Sequence, residues 1–168
     1  MDVAEIIELM EKVAPGALAE PWDNVGLQLG SQHWPVELIW VALDPDPRVI
    51  RAAAQAGVDL LIAHHPLILE PLKRLDLDTP WGAAMGIAIR HQLAIFSAHT
   101  NLDAARGGIN DLLAQHLELG DLSPLISLPS RDETGAEFGQ TVPQAAGMGR
   151  IGWLAQPFSL MGFGAKVK

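Results

Sequence analysis

The segment that decides the fold is Val58–Leu69, with the sequence VDLLIAHHPLIL. Five of its first six residues are apolar, which is typical of a short strand buried on both faces. Two adjacent histidines, His64 and His65, follow that run directly and precede a proline. Buried strands that alternate with helices form parallel sheets, and ligands bind at the carboxyl ends of such strands. The segment therefore predicts an α/β protein whose sheet presents two imidazoles at that edge.

The flanking sequence continues the alternation of strands and helices. Predicted strands lie at Val25–Leu29, Leu38–Leu43 and Leu93–Ala98, and predicted helices lie at Val3–Val13, Pro47–Gly57, Thr79–Gln92 and Gly107–Leu119. The proline that starts the second helix and the glycine that ends it are typical of helix boundaries. The strands at Leu38–Leu43, Val58–Ala63 and Leu93–Ala98 read as buried on both faces, so we expect a largely parallel sheet.

Polar residues follow three of these strands. Asp44 comes after the first apolar strand, His64 and His65 after the second, and His99 and Asp103 after the third. Because parallel strands end at one edge of a sheet, these side chains should lie close together. Neutral imidazole and carboxylate suit zinc, iron, manganese, nickel or cobalt. The sequence thus predicts a metal site and leaves the metal open.

Two neighbouring ions fit this arrangement better than one. Consecutive residues of an extended chain point in opposite directions, so His64 and His65 are expected to serve one ion each. Asp103 would complete or bridge the pair, and two ions a few ångströms apart are a common device for activating water. His99 is a ligand, a supporting group or a proton carrier. Solvent contact or packing is the alternative for a single pair of histidines.

Composition excludes several classes of function. The 168 residues carry a formal net charge of −9, and this acidic balance argues against nucleic acid as a partner. The absence of cysteine excludes disulfides and cysteine nucleophiles. No apolar run approaches membrane-spanning length, and the N-terminus carries acids where a signal peptide carries bases. We therefore expect a cytoplasmic protein that does not contact membranes.

Other motifs are weaker. Arg106–Asn110 (RGGIN) is either a phosphate-binding helix start or a tight turn, and Trp22–Gly26 (WDNVG) is either a local turn or part of the site. His33, His91 and His116 are interpreted as surface or core residues.

Several motifs together resemble one known family. They are EPWDNVGLQLG, VALD, DLLIAHHPLIL, PLKRL and AIFSAHTNLDAARGGINDLLA, in that order. The chain resembles the Nif-three-like dinuclear metal-centre proteins, also described as type 2 GTP cyclohydrolase I. The resemblance implies a three-layer α/β/α fold, two divalent metal ions and a homohexamer with a small-molecule substrate. It also implies that His64, His65 and Asp103 are metal ligands, with His99 beside them.

The C-terminal part departs from that family. From Gly120 the pattern weakens, with one strand-like piece, GRIGWLAQP, and a short helix that Ser159 would cap. The resemblance implies a further half with a late histidine and a bridging glutamate, and no such motif is found. We therefore expect residues 1–120 to form the metal-site half, and residues 121–168 to form a connecting region and the start of a truncated second half.

Three functions follow from these patterns. The first is a metal-dependent hydrolase acting on a nucleotide-like, phosphorylated or cyclic amide substrate. The second is a metal-binding or regulatory protein without turnover, or an inactive fragment with an incomplete site. The third is a metal-free α/β interaction module in which the histidines are structural.

Overall fold

The computed structural model describes residues 1–128 and 146–167. Its main sheet has four strands, β1 (Gly26–Leu29), β2 (Ile39–Ala42), β3 (Leu60–Ala63) and β4 (Ala94–Ser97), in the order β1-β4-β3-β2. Six α-helices are described: α1 (Val3–Val13), α2 (Pro47–Gln55), α3 (Pro80–Arg90), α4 (Thr100–Ala104), α5 (Ile109–His116) and α6 (Leu160–Val167). None of the helices described is long and apolar enough to cross a membrane.

The sheet is mostly parallel, as predicted. Strands β2, β3 and β4 run parallel, and β1 pairs antiparallel with β4. The register places Ala63 of β3 opposite Ser97 of β4. The residues that follow these two strands therefore leave the sheet side by side, which confirms the expected meeting of the strand ends.

Helices cover both faces of the sheet and give three layers. On one face, α2 and α3 pack their small residues against Leu61 and Ile95, which are 0% exposed. On the other face, α1 packs Val3 and Ile6 against Leu60 and neighbouring apolar side chains. The predicted three-layer α/β/α architecture is thus present. Helix α1 begins at an Asp2 capping box, as its sequence indicates.

Strand β2 is a correction to the sequence interpretation. The segment Leu38–Leu43 is not a buried strand, because β2 lies at one edge of the sheet and its first three residues are exposed. Val41 is 80% exposed and Leu43 is 61% exposed. An apolar run predicts a buried strand whether strands pair with it on one side or on both. The sequence therefore could not distinguish an edge strand from a central strand. An exposed apolar edge strand is a site of self-association.

A second, two-stranded sheet follows. Strand β5 (Leu119–Ser127) pairs antiparallel with β6 (Gly147–Leu154), and Ser159 caps α6 by accepting a hydrogen bond from the Gly162 N–H. The sequence predicted the β6 region and the cap, but gave only weak strand signals where β5 lies. The connecting region predicted at 121–168 includes residues 129–145, which lie outside the described residues. The division at residue 120 remains a prediction.

Arg150 joins this second sheet to the first half of the chain. Its guanidinium pairs with Asp111 of α5 and donates hydrogen bonds to the carbonyls of Gly147, Gly149 and Ala105. The Arg150 side chain is only 4% exposed and that of Asp111 is 13% exposed. A buried pair with so many partners fixes the position of β6 against α5 and the loop before it.

Asp111 predicts a loss of stability in acid. Burial raises the pKa of its carboxyl, but hydrogen bonds from Arg150 and the Gly107 N–H, with nearby arginine charge, lower the pKa below its ordinary value of 3.8. Because the folded-state pKa is the lower one, its stabilisation is present above the ordinary value and is lost as pH falls through the folded pKa. Urea unfolding from about pH 6 to about pH 3 should show a falling free energy of unfolding. We expect a shallower fall in Asp111→Asn; equal slopes would contradict this assignment.

Candidate metal centre

Three histidines converge at the carboxyl ends of β3 and β4. His64 and His65 occupy the bend directly after β3, and His99 precedes the first residue of α4. One ring nitrogen of each lies within 4.8 Å of the others. The ring centroids are 5.1 Å apart for His64 and His65, 5.1 Å for His64 and His99, and 5.6 Å for His65 and His99. The cluster therefore has the spacing of a group that could hold a metal ion.

Each of the three rings is held through the same atom. The Nδ1 of His64 forms a 2.9 Å hydrogen bond with the carbonyl oxygen of Ala98. The Nδ1 of His65 forms one of 2.6 Å with the Asp44 carboxylate, and the Nδ1 of His99 forms one of 3.0 Å with the Asp23 carboxylate. All three partners are oxygen acceptors, so each Nδ1 carries the proton and donates it. A neutral imidazole held in this way keeps its lone pair on Nε2. Histidine ligands of metals are oriented in this way, by a carbonyl or carboxylate behind the ring.

Asp23 is the most buried member of the arrangement. Its side chain has 0% exposure, and its carboxylate accepts hydrogen bonds from the Thr100 hydroxyl and from the backbone N–H groups of Thr100 and Asn24. Burial raises the pKa of Asp23, but the hydrogen bonds from Thr100, His99 and Asn24 lower it further, so the pKa lies below its ordinary value. The ionised carboxylate thus fixes the orientation of the His99 ring.

Asp103 lies beside the cluster on helix α4. Its Oδ1 is 3.9 Å from His64 Nε2, which is too long for a hydrogen bond. Its backbone carbonyl accepts a 2.9 Å hydrogen bond from the Asn110 side chain, which ties α4 to α5. The structure therefore places Asp103 next to His64, while the third group of the tight cluster is His99.

The relative orientation of His64 and His65 differs from the sequence expectation. Their ring nitrogens lie together instead of pointing to opposite sides. Strand pairing ends at Ala63, and the backbone bends at the two histidines, so the alternation of an extended strand no longer applies. The pair is therefore able to face one shared space.

The donor set fits a transition metal. Imidazole nitrogens with a neighbouring carboxylate are ligands for zinc, iron, manganese, nickel or cobalt. The His64 and His99 side chains are each 17% exposed and that of His65 is 46% exposed. His64 and His99 are thus largely shielded from solvent, while His65 lies on the exposed side of the cluster.

The structure also resolves the weaker motifs. Asp23, which the sequence left between a local turn and the site, holds a site histidine. At the Arg106–Asn110 turn, the Gly107 N–H already donates to Asp111 at 2.5 Å, which favours a tight turn over a phosphate cradle. His33, His91 and His116 are exposed and lie outside the cluster. The Asp23 anchor lies 76 residues from its histidine, and so spacing alone could not identify it.

The fold and the cluster together define a class: an α/β protein with three histidines, at its strand ends, that could hold a metal ion. Comparison with known proteins then gives the family. The chain belongs to the Duf34/NIF3 (NGG1p interacting factor 3) family, whose model matches residues 1–168. This confirms the resemblance found in the sequence motifs.

Relatives and solved structures agree. A GTP cyclohydrolase 1 type 2 homolog of Bacillus subtilis is 39% identical over 171 residues, covering 96% of this chain and 46% of the relative. A Bacillus cereus protein related to NIF3 matches with a TM-score of 0.73 and 41% identity, over 77% of this chain and 36% of that one. Reduced HcgD from Methanocaldococcus jannaschii matches with a TM-score of 0.71 and 38% identity, over 76% and 51%. The chain spans about half or less of these proteins.

Proposed function

We propose that this chain binds two divalent metal ions, with His64, His65 and Asp103 as ligands and His99 as a neighbouring group. The observation that carries the proposal is the common anchoring of the three imidazoles, in which every Nδ1 donates to oxygen and every Nε2 is left as a potential ligand. The metal-free interaction module is less favoured, since it gives no reason for three imidazoles to be anchored through Nδ1 in one cluster.

Hydrolysis is the reaction that this site supports best. Divalent ions, when bound, supply Lewis-acid activation of water and of a polar substrate bond. Asp44 is committed to holding the proton on His65 Nδ1, and Asp23 does the same for His99. If His99 is not a ligand, its Nε2 is free to accept and return a proton. The relatives named GTP cyclohydrolase 1 type 2 homolog suggest a nucleotide-like substrate with a cyclic amide or amidine ring.

Metal binding without turnover is the second candidate. It is favoured by the histidine cluster, which could hold a metal ion whether or not a reaction follows. A homohexamer, a small-molecule substrate and a cytoplasmic location complete the proposal, and a nucleic acid or membrane partner is not part of it.

Elemental analysis of purified, tag-free protein tests the proposal, with the mass in solution measured alongside. We expect close to two metal ions per chain in a large assembly, and GTP turnover that stops when a chelator removes the metal. Metal without turnover of GTP would favour the second candidate. Folded protein that takes up no zinc, iron or manganese when these are supplied would overturn metal binding.

A further inference from the structure

Trp22 is an exposed aromatic side chain at the rim of the histidine cluster. Its side chain is 61% exposed, although tryptophan is usually well buried in folded proteins. Its indole lies 6.1 Å from the His99 ring, centroid to centroid, with the two planes at 78°. An edge-to-face contact of this kind leaves indole surface uncovered beside the histidine cluster.

The turn that carries Trp22 is fixed on both sides. Before Trp22, the Glu20 carbonyl accepts a 3.0 Å hydrogen bond from the Asp23 N–H, and directly after Trp22 the Asp23 side chain is buried against Thr100 and His99. After it, the Asn24 side chain donates to the Ile68 carbonyl at 2.5 Å, in the segment that follows the two adjacent histidines. The indole is therefore exposed on a backbone with little freedom, and little conformational entropy remains to be lost when a ligand packs against it.

Exposure alone does not distinguish Trp22, because Trp81 and Trp153 are also exposed, at 47% and 73%. Its position does: within residues 1–128 and 146–167, Trp22 is the tryptophan whose ring contacts a histidine of the cluster. A rigid indole beside imidazoles and carboxylates offers a flat apolar surface next to hydrogen-bond acceptors. A planar heteroaromatic ring matches both, since it stacks on the indole and donates from its ring N–H and amino groups to the acceptors.

We propose that Trp22 is a substrate-binding residue that stacks on a heteroaromatic ring and holds that ring over the histidine cluster. This inference rests on the proposed function and deepens it, because it assigns the substrate class to planar nitrogen heterocycles such as nucleobases. Trp22 contributes binding and positioning, and it takes no part in proton transfer.

Paired titrations test this assignment. Guanosine 5′-monophosphate and ribose 5-phosphate carry the same phosphate and differ in the base, so the ratio of their dissociation constants measures the contribution of the base. Titrations use the full chain with and without added zinc, and zinc content is measured in parallel. The variants are Trp22→Ala and Trp22→Phe, with Trp153→Ala on β6 as the matched control.

We expect Trp22→Ala to weaken binding of the nucleotide by on the order of tenfold, the usual size of one base–aromatic stack, and to leave ribose 5-phosphate within about twofold. Trp22→Phe should keep part of the preference, and Trp153→Ala all of it. Zinc content should not change in any variant.

Three results would overturn the inference: equal affinity of the wild type for both ligands, an unchanged base preference in Trp22→Ala, or a loss of assembled mass in that variant without a change in affinity. The last would mean that the indole packs against protein. Zinc content decides the metal proposal separately. A Trp22-dependent base preference in protein without zinc would support the inference even where metal binding failed.

Discussion

Purified His64→Ala protein should contain far less bound metal than the wild type while it remains folded. His64 offers one ring nitrogen to the histidine cluster, and its Nε2 lies 3.9 Å from the Asp103 carboxylate, so the substitution removes a candidate metal ligand. Loss of an outer hydrogen-bond partner alone costs about 10–100-fold in metal affinity, so loss of a ligand should cost on the order of 100-fold or more. Elemental analysis and zinc titration measure this directly.

Asp103→Ala should act in the same direction, and His91→Ala is the matched control. His91 is an exposed histidine at the end of α3, outside the cluster. Each variant should remain folded. The hydrogen bond that His64→Ala removes contributes only about 1 kcal/mol to the free energy of unfolding. Circular dichroism would verify the fold. Unchanged metal content in both His64→Ala and Asp103→Ala would refute the ligand assignment.

Arg150→Met should be the most destabilising of the charge-removing substitutions. It breaks the buried ion pair with Asp111 and three hydrogen bonds to backbone carbonyls. The charge of the buried Asp111 carboxylate is then no longer offset by a guanidinium. Removing one partner of a buried pair costs about 3–5 kcal/mol. The free energy of unfolding from urea titration at pH 7 measures the loss.

Two further variants test whether the unpaired Asp111 carboxylate causes this loss of stability. Arg48→Met removes an exposed pair with Asp46, since the Arg48 side chain is 93% exposed, and should change stability little. Adding Asp111→Leu to Arg150→Met removes both buried charges and should recover much of the loss. A double variant as unstable as the single one would show that packing, and not the unpaired carboxylate, causes the effect.

The parts of the fold that the sequence predicted are those fixed by local pattern. The apolar run before His64 and the small-residue pattern of α3 specify buried elements wherever they pack, and parallel pairing then brings the strand ends together. Capping residues such as Asp2 and Ser159 act on their own helix, so their role is visible in sequence.

The parts that were missed depend on partners distant in the chain. Whether β2 lies at an edge depends on which strand pairs with it, and its apolar residues are the same in both cases. His64 and His65 converge because the backbone bends directly after Ala63, where strand pairing ends. Strand β5 contains Pro124 and a register shift between Gly120 and Ser123, which weaken its strand pattern.

The order of strands in the main sheet has a consequence for synthesis of the protein. Strand β1 is made first, yet its partner is β4, and β3 lies between β2 and β4. In a growing chain, β1 therefore lacks its strand partner until the segment Ala94–Ser97 has emerged from the ribosome. The first three strands form no complete sheet before that point. His64 and His65 likewise wait for His99, so the nascent protein acquires its histidine cluster only when the fourth strand docks into the sheet.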